Sequence, residues 1–578
     1  MNKTCTLTGK PSVDRPWLRF YPGDVSQLRV PQCTIFDYLK ANCPGEDVVA
    51  MHYYGVDITW KTVFEQIEQT ARALRALGFG LNDEIPAFLR SVPEFVYLLL
   101  AAEKIGASVL CRDNTLEENV DAVKKSGAGA IFAHTFLSQE ELDAYRNNTH
   151  TEQVVLLSPC RSGDRGSMPV HIKKCLDGLY PTERAHGSAT MTWDEFIAQG
   201  ASYTGDVDAP VDINRPLFRA YTSGSTGPSK QVIHSAHTII AILHQMSVYG
   251  ASGEFRPVWL TTILPPALVA AVVAMILTPL SSNKLLILDP FCDPYDLDLE
   301  IMRYRPNIWP PIPMFLEILM RSDRIPDDYD MSHLVAAGAG AEAFNNRQMD
   351  RTEQFLHAHN CNITLTTGYG SSEAGSNMTF PCPLYPIRNG NVGIPMPMNT
   401  MSVFKPGTQE ELSYNQVGEI CLCGPGVMLG YDNPAATAKA LQRHEDGNVW
   451  LHTGDIGYVN ENGLFYTLTR GDSKRYGGGE LATLPMENLV ADAKIEGIDD
   501  EFFVIVPDDD HPGYFLPYLY VVLNDGYTVS DIKKQVLACL EPHMHPVDII
   551  ELEERPFFHF KTNRIGLTRE LKKAEQAV

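Results

Sequence analysis

The stretch 221–230, YTSGSTGPSK, gathers five Ser/Thr hydroxyls and two glycines and ends on a lysine. Backbone N–H groups, hydroxyls and one ammonium in a single loop form an anion receptacle, and their number suits a polyphosphate. The Walker loop needs four residues between its glycines and then Gly-Lys-Ser/Thr opening a helix. Here Gly224 and Gly227 stand too close together, and Lys230 is followed by Gln231-Val232-Ile233-His234-Ser235. Adjacent β-branched residues predict a strand there, and LFRAYT predicts another before the loop. The loop therefore joins two strands. An ordinary Gly/Ser/Thr-rich surface turn has the same composition, so taken alone the loop leaves both readings open.

Three other stretches carry chemistry-bearing residues. GYGSSEAG (368–375) sets a tyrosine, two serines and a glutamate among glycines. HTGDIGYVNENGLFYTLTR (452–470) holds Asp455 and Arg470 at its two ends, and RGDSKRYGGGE (470–480) mixes charges with three successive glycines. Glycines make large φ/ψ changes cheap, so the last stretch reads as a hinge or mobile loop, with a plain linker as the alternative.

A chain of 578 residues with 44% apolar content is too long for one core and divides into about two to four domains. From residue 34 to about 133, amphipathic helices such as KTVFEQIEQTARALRAL alternate with short apolar strands such as EIPAFL and ASVL, the pattern of a layered α/β domain. Near 396–430 the text turns to short strands with Gly/Pro turns, as in GEICLCGPGVMLGY. From 471 onward, EFFVIVP, PYLYVVLN and VSDIKKQVLACL supply separate strand and helix signals. The expected fold class is α/β. It comprises a large N-terminal layered α/β domain over 1–470, with a β-rich subdomain at about 395–470, and a small mobile α+β C-terminal domain over 471–578.

The net charge is −24, from 47 basic and 71 acidic residues, and no Lys/Arg run is interleaved with aromatics, which argues against a nucleic-acid groove. The first twenty residues lack an apolar h-region, so no secretory signal is predicted and a cytoplasmic location is expected. The uncharged stretch 263–280 is broken by Pro265, Pro266 and Pro279. It is too short for a transmembrane segment and reads as a buried helix. The 12 cysteines form no CxxC pair, and Cys421 and Cys423 fall on one face of a strand. Neither zinc nor a disulfide framework is indicated, and reduced core thiols are expected.

Taken together, YTSGSTGPSK, GYGSSEAG, GEICLCGPGVMLGYDN and HTGDIGYVNENGLFYTLTR resemble, in order and spacing, the motifs of the adenylate-forming enzymes. That superfamily holds acyl-CoA synthetases, free-standing adenylation domains and beetle luciferase. ITWKTVFEQIEQTARAL resembles the family's N-terminal opening, and GAGAEAF, with Gly338, Ala339 and Gly340, its adenine-pocket loop. The resemblance implies an acid–thiol ligase that uses ATP, Mg²⁺ and coenzyme A. A substrate carboxylate attacks the α-phosphorus of ATP and expels pyrophosphate, so charge on phosphorus and leaving group must be neutralised. It further implies that Thr222, Ser223, Gly224, Ser225, Thr226, Gly227 and Lys230 act on the phosphates. Tyr369 would stack on adenine within Gly370-Ser371-Ser372, Ser372 would touch the α-phosphate, and Glu373 would hold Mg²⁺. Asp455 would bind the ribose hydroxyls, with Arg470 near ribose and phosphate. Asp472 would be the hinge, and Gly478 and Gly479 would line the pantetheine tunnel.

The chain departs from the family pattern at three places. Where the family carries a C-terminal catalytic lysine, KTNRIGLTREL is expected to place Arg564, with Lys561 three residues earlier as a substitute cation. Arginine keeps the charge but presents a planar fork. Thr469-Arg470-Gly471-Asp472 lacks the usual Gly-Arg start, and Gln231 replaces the glycine after the loop lysine. A non-catalytic nucleotide- or acyl-binding relative stays open on these grounds. No acid occurs between Thr261 and Ser282, whereas a buried substrate ammonium needs one. An aliphatic or aryl carboxylic acid with an apolar tail is expected instead, and the acceptor is the CoA thiol or another group, such as a carrier-protein thiol or an intramolecular hydroxyl. His234 reads equally as a substrate contact and as a hydrogen-bonded structural residue.

Overall fold

The computed structural model describes residues 7–222, 229–248, 255–261, 263–340, 342–382, 384–471, 474–558 and 560–576. The N-terminal domain is built on an eight-stranded sheet ordered Gly430–Tyr431, Gln231–Ser235, Pro216–Tyr221, Ser108–Leu110, Glu84–Phe88, Ala130–His134, Gln153–Leu157, Thr190–Thr192. From Pro216–Tyr221 to Thr190–Thr192 the neighbours are parallel. Parallel strands are covered on both faces, and AIFAH at Ala130–His134 is accordingly buried at every position. The helix Trp60–Ala76 shows why these segments are helical: Thr59 caps it by accepting from Thr62 N–H, and Val63, Ile67, Ala71 and Leu74 are buried at helical spacing. A second sheet of Val258–Thr261, Leu285–Leu288, Val49–Tyr53 and Val56–Thr59 shares the same core.

The buried helix expected over 263–280 is shorter and irregular. Its pieces are Val269–Val272, a π-turn at Val273–Leu277 and Thr278–Ser281. Pro279 has no N–H for the carbonyl of Met275. The hydroxyl of Thr261 donates to that carbonyl instead, at 2.6 Å, and that of Thr278 donates to Val273 O at 2.8 Å. Among the described residues no helix is long and apolar enough to cross a membrane, and every cysteine is a free thiol.

The β-rich part begins earlier than residue 395. Thr379–Phe380 and Asn391–Pro395 join Phe465–Arg470, Val449–Val459, Gly418–Cys423 and Thr400–Phe404 in one antiparallel sheet. The N-terminal Trp17 and Tyr21 pack into its core with Ile420, Leu451 and Phe465. Within this sheet Asp455 pairs directly with Arg470.

The C-terminal domain has its own core of Leu481, Met486, Phe503, Leu519 and Ile532, on the sheet Ile498–Pro507, Phe515–Leu523, Asp548–Leu552. Polar contacts hold it against the large domain: Arg347 Nε to Glu501 Oε2 at 2.6 Å, Arg351 Nη1 to Asp499 Oδ1 at 2.9 Å, and Asn346 N–H to Asn488 Oδ1 at 2.8 Å.

Candidate active site

The glycine-rich loop rises from a closed neck. Thr222 N–H donates to Lys230 O at 2.9 Å, Lys230 N–H donates back to Thr222 Oγ1 at 3.0 Å, and the Ser229 hydroxyl donates to Thr222 O at 2.6 Å. Ser223, Gly224, Ser225, Thr226 and Gly227 lie outside the described residues. The Lys230 ammonium sits over the Tyr431 ring, 5.0 Å from its centroid, and the Tyr431 hydroxyl donates to Glu373 Oε1 at 2.7 Å. One tyrosine thus ties the loop lysine to Glu373, whose carboxylate oxygens are the hard donors that Mg²⁺ prefers.

Gln231, the departure from glycine, is buried beside the loop. It donates to Tyr221 OH at 3.2 Å and accepts from Arg219 at 3.2 Å, so its bulk is absorbed by a polar network. His234 resolves to the structural reading. It is fully buried, its Nε2–H donates to Ser372 O at 2.7 Å, and Thr238 Oγ1 lies 3.1 Å from Nδ1. Burial pushes its pKa down to about 4, so the ring is neutral and fastens the strand after the loop to the GYGSSE segment.

Tyr369 donates through its hydroxyl to Asp455 Oδ2 at 2.7 Å, and Arg470 Nε lies 3.6 Å from Asp455 Oδ1. Burial raises the Asp455 pKa, against the opposing pull of Arg470 and the Tyr369 hydroxyl. Gly338–Ala339 runs parallel to Thr366–Thr367, and Gly368 N–H donates to Ala339 O at 2.9 Å. The adenine-loop candidates Gly338, Ala339 and Gly340 are therefore neighbours of Tyr369. Gly370 and Ser371 pair with Asn377 and Ser376, and a Cβ at Gly370 would fall 1.6 Å from Ser376 O, which only glycine avoids.

A cavity of about 670 Å³ between the domains is lined by Glu342, Tyr369, Asp455, Arg470, Lys474 and Lys561, among others. Lys561 makes no ion pair among the described residues. Burial and Arg470 lower its pKa, while the charges of Glu342, Asp455 and Glu373 pull it back up. Arg564 borders the same cavity but is fully engaged: Nη1 meets Glu342 Oε1 at 2.7 Å, Nη2 meets Glu487 Oε1 at 3.0 Å, and Nε donates to Phe503 O at 3.1 Å. Arg564, expected at the reacting centre, is thus held by Glu342 of the large domain and by Glu487 and Phe503 of the small one. Its planar fork clamps the C-terminal segment, while Lys561 lines the cavity together with Arg470 and Lys474.

Glu342 and Lys474 were not singled out as site residues. Glu342 lies in the quoted GAGAEAF loop, but its partners Arg564 and Thr562 are 220 or more positions away in sequence. Gly478 and Gly479 are not among the residues lining the cavity. They sit at the turn of the hairpin Lys474–Tyr476 and Gly479–Leu481, and a Cβ on Gly479 would meet the His543 ring at 2.2 Å. Asp472, the expected hinge, lies outside the described residues. Residues of 263–280 pack in the main core, and none lines this cavity.

Comparison with known proteins adds to this geometry. The sequence model of the family described as AMP-binding enzyme matches residues 40–432. The chain is 25% identical over 500 residues to 4-coumarate–CoA ligase 1 of Solanum tuberosum, covering 82% of this chain and 83% of the relative. It is 28% identical over 428 residues to 4-coumarate–CoA ligase 5 of Oryza sativa subsp. japonica, covering 70% and 76%. Among solved structures, ATP-bound MatB from Rhodopseudomonas palustris superposes with a TM-score of 0.75 at 21% identity, over 93% of this chain and 99% of that one. A benzoate CoA ligase from Burkholderia xenovorans LB400 superposes with a TM-score of 0.74 at 17% identity, over 93% and 100%. These superpositions establish a shared fold of a large N-terminal and a smaller C-terminal domain.

Proposed function

This chain belongs to the AMP-binding enzyme family, and on that premise we propose that it is an AMP-forming acid–thiol ligase, activating a carboxylic acid with ATP and passing the acyl group to coenzyme A. The observation that carries the reading is the cavity in which Tyr369, Asp455, Arg470 and Lys561 meet beneath the GYGSSE segment. A carboxylate oxygen of the acid attacks the α-phosphorus, and the bond to the pyrophosphate oxygen breaks. Lys561 and Arg470 supply positive charge where the phosphoryl oxygens gain negative charge. Lys230 and the hydroxyls of its loop receive the departing pyrophosphate. Glu373 would hold Mg²⁺, which neutralises phosphate charge when bound. Asp455 accepts from the ribose hydroxyls, oriented by the Tyr369 hydroxyl. The thiol then attacks the acyl carbonyl and AMP leaves.

The acid is aryl or aliphatic with an apolar tail. Support comes from the relatives named as 4-coumarate–CoA ligases. The rival reading, a binding protein without turnover, leaned on Arg564. Arg564 in a clamp and Lys561 on the cavity wall favour the ligase reading.

The test is pyrophosphate release by the purified protein with ATP and Mg²⁺ against a panel of aryl and aliphatic acids, with and without coenzyme A. Acid-dependent release, followed by thioester only when coenzyme A is added, is the expected result. Release that needs an acid but gives thioester only on a carrier-protein thiol would move the acceptor. ATP binding without release across the whole panel would overturn the ligase reading.

A further inference from the structure

On the far side of the turn that presents Asp455, the β-rich sheet assembles a second cluster of reactive side chains. Glu419 and Cys421 lie on Gly418–Cys423 with a bulge between them, and Cys421 pairs directly with His452 on Val449–Val459. His452 Nδ1 is 2.8 Å from Glu419 Oε2 and 3.5 Å from Cys421 Sγ, and one donor atom from each of the three residues lies within 4.8 Å of the others. The side chains of His452 and Glu419 are 6% and 14% exposed. Cys421 is fully buried. A fourth residue completes the group: His444 Nε2 is 2.9 Å from His452 Nε2, and its ring packs on Phe404 and Trp450.

An imidazole nitrogen, a thiol sulfur and a carboxylate oxygen form a donor set suited to Zn²⁺, with distances of roughly 2.0–2.3 Å to each. Tetrahedral geometry then separates the donor atoms by roughly 3.3–3.7 Å. The observed 3.5 Å separation falls within that range and the 2.8 Å separation lies below it, so small side-chain rotations would bring the donors onto one ion. The outer partner is also present. A histidine bound through Nδ1 carries its proton on Nε2 and needs an acceptor there. His444 Nε2, 2.9 Å from His452 Nε2, stands where that acceptor is needed. Lys439 is close enough to act electrostatically on Glu419, opposing a cation weakly, whereas a Cys421 thiolate and the Glu419 carboxylate together attract one.

We propose that Glu419, Cys421 and His452 form a three-residue Zn²⁺ site with water as the fourth ligand, and that metal there adjusts nucleotide affinity through Glu419. Binding releases the Cys421 thiol proton to solvent and moves the His452 ring proton to Nε2. The link to the nucleotide is direct. Glu419 Oε1 accepts from Gly454 N–H at 3.0 Å, Gly454 has φ of +73°, and its carbonyl accepts from Gly471 N–H at 2.8 Å. Asp455 is the next residue, so recruiting the carboxylate of Glu419 to a metal pulls on the turn that aims it. The metal site stands on its own geometry; its effect on ATP rests on the nucleotide reading above.

Titration of the metal-free protein with Co²⁺ reads the site without any assay of turnover. A thiolate-to-cobalt charge-transfer band should saturate at one ion per chain, disappear on adding Zn²⁺, and be lost in Cys421→Ser while surviving in Cys423→Ser. His444→Gln should weaken the metal by roughly 10–100-fold and keep the band at saturation. No band, or an unchanged band in Cys421→Ser, overturns the site. Direct ATP binding measured with and without Zn²⁺ should shift several-fold in the natural chain and not in Cys421→Ser; an unshifted affinity overturns the link to the nucleotide. If ATP binds neither protein, the ligase reading fails while the cobalt spectra still decide the metal site.

Discussion

Arg564 Nη1 and Glu342 Oε1 lie 2.7 Å apart, although one comes from the last helix of the chain and the other from the loop beside the GYGSSE segment. Glu342 Oε2 also accepts from Thr562 N–H at 3.1 Å. One carboxylate therefore grips both ends of 562–564 and brings the preceding residue, Lys561, to the cavity. The Glu342 carboxyl is held below its ordinary range: burial works against ionisation, and Arg564 and Arg555 outweigh it.

This division of labour separates two substitutions that look alike in sequence. Lys561→Ala should cut acid-dependent pyrophosphate release by roughly 10²–10³-fold, the scale for removing one preorganised electrostatic contact. Transfer from a supplied acyl-adenylate to the thiol, and the melting temperature, should stay nearly unchanged. Arg564→Gln should lower the melting temperature, because Glu342 and Glu487 lose their shared partner. If Lys561→Ala left pyrophosphate release intact while Arg564→Lys changed kcat at constant stability, the assignment of roles would be reversed.

Tyr369→Phe deletes the 2.7 Å hydrogen bond to Asp455 Oδ2. Hydrogen bonds to charged groups contribute about 1.5–3 kcal/mol, so the apparent KM for ATP should rise by roughly 10-fold or more while kcat at saturating ATP changes less. An unchanged KM would mean that Asp455 keeps its aim without the tyrosine.

Local signals made the frame of this site readable in the sequence. The strand on each side of YTSGSTGPSK, the α/β alternation and the separate C-terminal domain all follow from periodicity and turn residues, and each is present. Long-range pairing was not readable. That Arg564 is used up by Glu342 and Glu487 depends on contacts across 222 and 77 positions, which no spacing rule encodes. The Cys421–His452 approach likewise arises from strand register, so counting cysteines could not find it. The early start of the β-rich sheet at Thr379 escaped because the paired residues Thr379–Phe380 are too few to show alternation.

His234 gives a pH signature with a definite sign. Its pKa falls from 6.5 to about 4 in the fold, chiefly through burial, so the unfolded chain binds the proton more readily over that interval. Its contribution to stability is complete above about pH 6.5 and is lost as the pH falls toward about 4, amounting to roughly 3 kcal/mol at about 1.4 kcal/mol per pH unit. His134 titrates in the same direction, so the comparison must be with His234→Gln. Denaturant unfolding from pH 7.5 to 4.5 should be steeper in the natural chain than in the variant; parallel curves would remove His234 from the account.

The small domain depends on a second arginine clamp. Arg555 binds Asp500 through two bonds of 2.7 Å, and also donates to Thr562 Oγ1 at 3.1 Å and Glu501 O at 2.9 Å. Both Arg555 and Asp500 are buried. Asp500→Asn would leave the guanidinium without its countercharge, and breaking a buried pair from one side costs about 3–5 kcal/mol. Because Arg555 also holds Thr562, the residue after Lys561, the damage should extend beyond stability: acid-dependent pyrophosphate release should fall even well below the unfolding transition, while ATP binding to the large domain persists. A variant that melted earlier but adenylated at the normal rate in the cold would show that Lys561 is positioned by Glu342 alone.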